Sequence, residues 1–140
     1  MAAVYTALAT ATGEGRNGHT RTSDGTIGLD LKVPTEMGGP GGGANPEQLF
    51  AAGYAACFHG ALKLVAGKQG VAFTDSAVTA EVGIGPNDAG GFALEVTLHV
   101  ELGGIEQSAA EALVEAAHQV CPYSNATRGN IPVTLEVETA

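Results

Sequence analysis

The feature that most constrains this chain is a segment of small and apolar side chains that follows Asn45 and continues to Gly67. A helix through this segment has small or apolar residues on nearly every side, and such helices are buried in folded proteins. Three helix-starting signals stand at its beginning: Asn45 as a capping side chain, Pro46 at the first helical position, and Glu47 near the positive end of the helix dipole. The segment therefore predicts a buried helix whose small side chains let another helix approach closely.

Alternating apolar and polar residues, separated by turn signals, predict strands on both sides of this helix. Ser108 and Glu111 match a capping box, which predicts a second helix that ends near Cys121 because Pro122 follows. The order of strands, helix, hairpin, helix and strand predicts an α+β fold in one domain over residues 1–140. The predicted strands cover Val4–Thr12, His19–Ser23, Ile27–Val33, Asp75–Ile84, Phe92–Leu102 and Ile131–Val137.

Composition restricts the classes of function. Fifteen acidic residues against six basic ones give a net charge of −9, which leaves no basic surface for phosphates and predicts no nucleic-acid partner. The N-terminus lacks the positively charged start of a secretory signal, and the apolar run Leu49–Leu62 is too short for a membrane span. We therefore expect a soluble, cytoplasmic protein with no membrane partner.

The loop over Pro34–Ala44 contains the glycine-rich run Gly38–Gly43. Such glycine density predicts either flexibility or a close approach of two backbone segments. The loop lacks the Lys-Ser/Thr ending of a phosphate-binding loop, so nucleotide binding is not expected.

The two cysteines, Cys57 and Cys121, need a chemical interpretation, because disulfides in the cytosol are mostly transient, catalytic or sensing. Cys57 lies in mid-helix among apolar neighbours, and burial alone raises the pKa of a thiol and makes it inert. Cys121 lies at a helix end beside a polar segment, so two buried helices could bring the cysteines face to face. Peroxide chemistry needs one thiolate that attacks oxygen and a second thiol that captures the sulfenic acid. A small buried hydrophobe remains the alternative interpretation of Cys57.

A thiolate in mid-helix needs a cationic partner, because it gains nothing from the helix N-terminus. Lys63 is six positions from Cys57 and on the wrong face, which leaves the three arginines, Arg16, Arg21 and Arg128. Arg16 lies in a glycine-rich turn from which it can point inward. The alternative is that Arg16 is a solvated turn residue.

Metal binding is a weaker hypothesis. His118 with Cys121, and Cys57 with His59, supply four possible ligands, but their spacing matches no common zinc pattern. We therefore expect no metal, and structural roles for the two histidines.

A general thiol–disulfide oxidoreductase would need a close CxxC pair, which this chain lacks, so that function is not expected. The sequence suggests no role for His19, Arg21 or His99.

Two segments resemble the cysteine motifs of the organic hydroperoxide resistance (Ohr) branch of the Ohr/OsmC family. Residues 45–58, NPEQLFAAGYAACF, are similar to its first motif, and residues 120–130, VCPYSNATRGN, to its second. The turn from Ala11 to Arg16 and the glycine-rich loop before Asn45 also resemble family features. The resemblance covers essentially the whole chain.

This resemblance implies an OsmC-like fold, an intertwined homodimer whose strands wrap around two central cysteine-bearing helices. It implies thiol-dependent reduction of organic hydroperoxides, including fatty-acid hydroperoxides, to alcohols. The implied reductant is the dihydrolipoyl group of a lipoylated protein, or another dithiol. No metal, haem or flavin is implied to take part. By motif position, Cys57 is the peroxidatic cysteine, Cys121 the resolving one, Arg16 the thiolate-stabilising arginine and Glu47 its acidic partner.

Helix geometry adds one expectation about the dimer. Glu47 and Cys57 are ten residues apart on one predicted helix, hence roughly 15 Å apart along its axis. If both serve one site, Glu47 comes from the other subunit, which predicts active sites at the dimer interface.

Two alternative functions stay open. One is a peroxidase of the OsmC branch with a different substrate preference, although the Cys121–Asn125 string CPYSN favours the Ohr branch. The other is a non-catalytic thiol redox sensor, which would need a transducing partner.

Overall fold

Three α-helices and two three-stranded β-sheets make up the computed structural model, which describes all 140 residues. The predicted α+β class is confirmed. The residues group into two compact units, Met1–Leu49 and Phe50–Ala140. One domain over residues 1–140 stays a prediction.

The first unit contains an antiparallel meander of strands β1 (Ala9–Thr12), β2 (His19–Thr22) and β3 (Gly28–Asp30). The Asp24 carboxylate accepts hydrogen bonds from the Thr22 hydroxyl and the Thr26 N–H, which closes the predicted hairpin turn. Each strand is shorter than predicted. The apolar residues that suggested a longer β1 precede the ladder and are exposed: Val4, Tyr5 and Leu8.

The glycine-rich loop folds back onto the chain that follows β3. The Lys32 N–H donates to the Ala44 carbonyl at 2.9 Å, and the Ala44 N–H donates to the Asp30 carbonyl at 3.1 Å. A Cβ at Gly39 would collide with the Val33 carbonyl oxygen, and one at Gly43 would lie 2.6 Å from the Lys32 side chain. Of the two predicted meanings of these glycines, close backbone approach is the one observed.

Helix α1 (Pro46–Gln69) begins where the sequence predicts. The Gln48 N–H donates to the Asn45 side-chain oxygen at 2.8 Å, and the Asn45 N–H donates to the Gln48 side-chain oxygen at 3.1 Å. This reciprocal pair is a capping box.

The end of α1 lies beyond the predicted Gly67. The helix continues to Gln69 and stops at Gly70, whose φ of 68° is left-handed. The apolar part of the helix therefore extends past Lys63. By length and composition alone, α1 is long and apolar enough to cross a bilayer. This finding corrects the prediction that the run Leu49–Leu62 is too short for a membrane span. This is weak evidence, since core helices of soluble proteins pass the same test.

The second unit contains a mixed sheet of β4 (Ser76–Pro86), β5 (Phe92–Leu102) and β6 (Val133–Thr139) in the order β4-β5-β6. Strands β4 and β5 form the predicted antiparallel hairpin, and β6 pairs parallel with β5. A parallel pair needs a helical crossover, which α2 (Gln107–Val120) and α3 (Pro122–Thr127) supply.

Helix α2 starts two residues earlier than a Ser108 cap would allow, so that prediction is wrong. Glu106 occupies the capping position without a side-chain cap. The Gln107 side chain donates to the Val137 carbonyl at 2.9 Å and accepts from the Thr139 hydroxyl at 2.9 Å. These bonds tie the first helical residue to β6.

The core of the second unit lies between one face of its sheet and the helices. Alternate residues of β5 are buried, while those between them, such as Thr97 and His99, lie on the partly exposed face. The α1 residue Leu64 lies outside this core and is 50% exposed. The core side chains from β5, α1 and α2 are Val96, Leu98, Val100, Leu102, Tyr54, Phe58, Ala61, Leu62, Val65, Ala66, Ala110, Leu113, Val114 and Ala117.

Candidate functional site

The two cysteines meet within the second unit. Cys57 lies on α1 and Cys121 at the junction of α2 and α3, with their sulfur atoms 3.4 Å apart. Both are free thiols; Cys57 is half-buried, whereas Cys121 is fully buried. A disulfide bond is about 2.05 Å long, so an approach of about 1.4 Å joins them.

Local backbone chemistry places Cys121 at this junction. Its N–H donates to the Ala117 carbonyl as the last bond of α2, and its carbonyl accepts the Asn125 N–H as the first bond of α3. Pro122 ends α2 because it cannot continue that helix, and it also occupies the favoured first position of α3. The sequence predicted the end of α2 but missed α3.

Three effects act on the pKa of the Cys57 thiol. Burial raises it most, the Tyr123 backbone N–H lowers it by hydrogen bonding, and the neighbouring Cys121 thiol raises it. The net shift is upward, as predicted for a thiol among apolar neighbours. Attack at neutral pH therefore needs a further group that favours the thiolate.

The cations of the second unit with described contacts are engaged elsewhere. The Lys63 ammonium lies 5.0 Å from the centre of the Phe73 ring. The Arg128 guanidinium donates to the Asn125 side chain and to the His118 carbonyl. Neither contact places positive charge at the Cys57 sulfur.

Arg16 and Glu47 form a bidentate ion pair in the first unit. The two guanidinium nitrogens donate to the two carboxylate oxygens at 2.9 and 2.7 Å. The Arg16 hydrogen bond lowers the pKa of Glu47, so the carboxylate stays ionised at neutral pH. Arg16 is 38% exposed and Glu47 only 14%, so the arginine is not a freely solvated turn residue.

The turn that carries Arg16 depends on glycine. Gly13 and Gly15 have φ values of 79° and 62°, which L side chains rarely adopt. A Cβ at Gly18 would collide with the Thr12 carbonyl oxygen. Residues 13–18, GEGRNG, thus form a tight turn that holds Arg16 against the first turn of α1.

Three aromatic rings from α1 and α3 pack against one another. The Tyr123 ring is 5.7 Å from that of Tyr54 and 6.0 Å from that of Phe50, centre to centre. A Cβ at Gly53 would lie 3.1 Å from the Tyr123 hydroxyl, so the small residue lets Tyr123 lie against α1.

Sequence reasoning missed a buried polar network beside Cys121. The Tyr54 hydroxyl lies 2.8 Å from the Ser124 hydroxyl and 3.1 Å from that of Thr127, and His118 Nδ1 lies 2.8 Å from Ser124. Reading Pro122 as the start of another helix would have placed Ser124 and Thr127 on one face, three residues apart.

Three of the four histidines have hydrogen-bonded partners, and His99 has ion-pair partners. His59 Nε2 lies 2.7 Å from the Ser76 hydroxyl, and His118 contacts Ser124, as expected for structural roles. His19 pairs with Asp30 at 2.9 Å, and His99 with Glu136 at 3.0 Å.

Comparisons with known proteins identify similar chains. The family model described as OsmC-like protein matches residues 39–136. The organic hydroperoxide resistance protein of Xanthomonas axonopodis pv. citri is 52% identical over 134 residues, covering 94% of this chain and 93% of that protein. OhrB of Bacillus subtilis is 46% identical, covering 97% of this chain and 99% of that protein.

Solved structures show the same similarity. The crystal structure of an organic hydroperoxide resistance protein from Elizabethkingia anophelis, with thiocyanate bound, matches with a TM-score of 0.96 and 50% identity. The match covers all of both chains. The OsmC-like fold that the sequence motifs implied is therefore confirmed for the chain.

Proposed function

The chain belongs to the OsmC-like family, in its organic hydroperoxide resistance branch, and from that premise we propose that it is a thiol-dependent peroxidase. It reduces organic hydroperoxides, including those of fatty acids, to alcohols. The observation that carries this proposal is the 3.4 Å separation of two free thiols, one half-buried and one fully buried. The names of the relatives support a role in organic hydroperoxide resistance.

In the first step, the Cys57 thiolate attacks the terminal, hydrogen-bearing oxygen of the hydroperoxide. An S–O bond forms while the O–O bond breaks, and the alkoxide leaves, taking up a proton to become the alcohol. Cys57 is then a sulfenic acid. Apolar neighbours such as Phe50 and Phe58 favour a lipid-like substrate over hydrogen peroxide.

In the second step, the Cys121 sulfur attacks the Cys57 sulfenic sulfur. Water leaves and the Cys57–Cys121 disulfide forms, which prevents further oxidation of Cys57. Cys121 is completely buried, which shields it from external reagents.

An external dithiol, such as a dihydrolipoyl group on a protein, completes the cycle by exchange at Cys57, the more accessible sulfur. One reductant thiolate bonds to Cys57 and displaces the Cys121 thiolate. The second reductant thiol then closes its own disulfide and releases the Cys57 thiolate. Electrons balance without metal, haem or flavin, so none is proposed.

The proposed enzyme is a homodimer. On α1, one exposed stripe at a spacing of four residues consists of small or apolar side chains: Ala52, Ala56, Gly60 and Leu64. In the first unit, Leu31 is the one buried hydrophobic residue, while Val4 and Tyr5 are 103% and 78% exposed. A three-stranded sheet with so few buried side chains needs a partner surface, which a second copy of the chain supplies.

The dimer also supplies the missing cation. Glu47 lies in the first turn of the continuous helix α1, roughly 15 Å along its axis from Cys57. Because Arg16 is bound to Glu47, it is tied to that end of the helix. We therefore assign the Arg16–Glu47 pair of one subunit to the Cys57 of its partner, where the guanidinium stabilises the thiolate and Glu47 orients it.

Mixing inactive subunits tests this assignment. Cys57→Ser and Glu47→Ala dimers are unfolded together, refolded at equal amounts and assayed. Each mixed dimer then contains one intact site, so about a quarter of the wild-type turnover returns by random pairing. If mixed dimers form, as native mass spectrometry reports, and no turnover returns, the sites are not shared.

The proposed activity is tested by peroxide consumption with dihydrolipoamide as reductant. We expect continuous turnover of tert-butyl hydroperoxide, faster than that of hydrogen peroxide. A preference for hydrogen peroxide would favour the OsmC-branch alternative. Consumption of one peroxide per chain and then none, with reductant present, would favour the redox sensor.

A further inference from the structure

The His118 backbone carbonyl accepts a hydrogen bond from a side chain instead of from its own helix. In a continuing helix it would accept the N–H of residue 122, four positions later, but that residue is proline and has no N–H. The Arg128 guanidinium takes this place, since its Nη2 atom donates to the His118 carbonyl at 2.9 Å. Arginine side chains can satisfy the last carbonyls of a helix in this way.

The same guanidinium is also bound to α3. Its Nη1 and Nη2 atoms donate to the Asn125 side-chain oxygen at 2.8 and 2.7 Å. Arg128 directly follows α3, and its backbone N–H donates to the Ser124 carbonyl at 2.9 Å. His118 lies three residues before Cys121, and Asn125 lies four residues after it. Arg128 therefore joins the two helices that meet at this cysteine.

A buried contact joins the same two helices and extends to α1. His118 Nδ1 lies 2.8 Å from the Ser124 hydroxyl, which lies 2.8 Å from the Tyr54 hydroxyl on α1. Tyr54 and Ser124 are completely buried. Buried polar networks hold their members in place when every polar atom has a partner, and no buried side-chain nitrogen or oxygen here lacks one. The network therefore fixes α3 against both other helices of the second unit.

This network lies about one helical turn from the two sulfur atoms. Tyr54 precedes Cys57 by three residues on α1, and Ser124 follows Cys121 by three residues. Residues at this spacing are neighbours on one helix face. The Tyr54–Ser124 hydrogen bond thus lies beside the 3.4 Å contact between the sulfurs. A shift of α3 along α1 would change both distances together.

We propose that the Cys121 sulfur is held within reach of the Cys57 sulfur by three positioning residues. They are Tyr54, Ser124 and Arg128, and they act on the second step of the proposed cycle. The inference rests on the proposed function in taking Cys121 as the thiol that closes the disulfide. Their effect on rate is expected to be large, because a misplacement of about 1 Å can slow a reaction between positioned groups by about a hundredfold.

Disulfide closure is measured without peroxide. Dithiodipyridine reacts with the half-buried Cys57 thiolate, so that a mixed disulfide forms and one thiopyridone leaves. The Cys121 thiolate then attacks the Cys57 sulfur of the mixed disulfide, so that the Cys57–Cys121 bond forms and a second thiopyridone leaves. Absorbance records both releases. Only the first rate depends on reagent concentration, which separates the two steps.

We expect Arg128→Ala and Ser124→Ala each to slow the second release by about tenfold or more and to leave the first within about twofold. Tyr54→Phe keeps the ring and removes only the hydroxyl, and we expect it to slow the second release as well. Arg128→Lys keeps the positive charge but loses the planar fork that reaches two acceptors, so we expect it to close slowly too.

Two matched controls accompany these variants. Lys68→Ala removes an exposed cation from the last turn of α1, and Val114→Ala removes buried volume from α2 without touching the network. We expect both to keep the wild-type rate of the second release, although Val114→Ala lowers the melting temperature.

A wild-type second release in Arg128→Ala would overturn the role of that residue. The same result in whichever of Ser124→Ala and Tyr54→Phe folds, as judged by circular dichroism, would overturn the role of the buried network. Slow closure in Arg128→Ala with full speed in Arg128→Lys would show that charge alone acts. Equal slowing in Val114→Ala would show that general loosening is the cause, and it too would overturn the proposal.

The wild-type chain tests the proposed function separately. One thiopyridone and no second would contradict the Cys57–Cys121 disulfide itself, and the positioning roles with it. Two releases in wild type and unchanged rates in the variants would remove only the positioning roles and leave the peroxidase proposal intact. A chain that turns over no peroxide can still show two releases and slow closure in the variants, which would support the positioning roles alone.

Discussion

We expect Cys57→Ser to lower the turnover of tert-butyl hydroperoxide with dihydrolipoamide by at least about a thousandfold, because a hydroxyl cannot replace the attacking thiolate. The measurement is steady-state loss of peroxide at fixed enzyme concentration. The substitution exchanges one small, half-buried side chain for another of similar size, so the fold should be retained. Full turnover in this variant would contradict the assignment of Cys57.

Cys121→Ser is the matched variant, since it keeps the Cys57 thiol and removes only the second one. We expect it to consume about one peroxide per chain and then stall, because the sulfenic acid has no thiol partner and no disulfide forms for the reductant to open. Rapid-mixing measurement of peroxide separates this single step from steady-state turnover. Turnover equal to wild type would show that Cys121 does not resolve the sulfenic acid.

The second large effect concerns stability. We expect Phe58→Ala to lower the free energy of unfolding by about 3–5 kcal/mol, because its completely buried ring fills the space between α1 and the sheet. Urea denaturation at one fixed protein concentration measures the change, since the stability of the proposed dimer would depend on concentration.

Phe92→Ala provides the control for this measurement. Phe92 is 72% exposed at the start of β5, so its removal should change the free energy of unfolding by less than about 0.5 kcal/mol. Equal losses in the two variants would show that Phe58 does not have the assigned place in the core.

Local signals in the sequence were sufficient for much of the fold. Asn45, Pro46 and Glu47 predicted the start of α1 because capping depends on neighbouring residues, and the structure contains that cap. Strand β5 was predicted with its observed bounds, because its alternation of buried and exposed residues is regular. Long, periodic elements of this kind depend little on the rest of the chain.

Other elements were missed because tertiary contacts decide them. Ser108 has a capping sequence, yet contacts of Gln107 with β6 fix an earlier start for α2. Pro122 was interpreted as the end of one helix, although proline equally favours the beginning of another. The missed helix α3 carries Ser124 and Thr127, so the buried polar network beside Cys121 was missed with it.

The site residues could be chosen from the sequence, but their pairing depended on family resemblance. Arg16 and Glu47 are 31 positions apart, and Cys57 and Cys121 are 64 apart. No local pattern predicts contacts at such separations. The structure places each pair in contact, and the catalytic roles of all four residues remain predictions.

The most direct test of the central claim is to treat the reduced protein with one equivalent of tert-butyl hydroperoxide. Free thiols are then counted, and the proteolytic peptides are analysed by mass spectrometry. Loss of both thiols together with a peptide linked through Cys57 and Cys121 is the predicted result. Oxidation of Cys57 alone to sulfinic acid, with Cys121 still a free thiol, would contradict the proposed cycle.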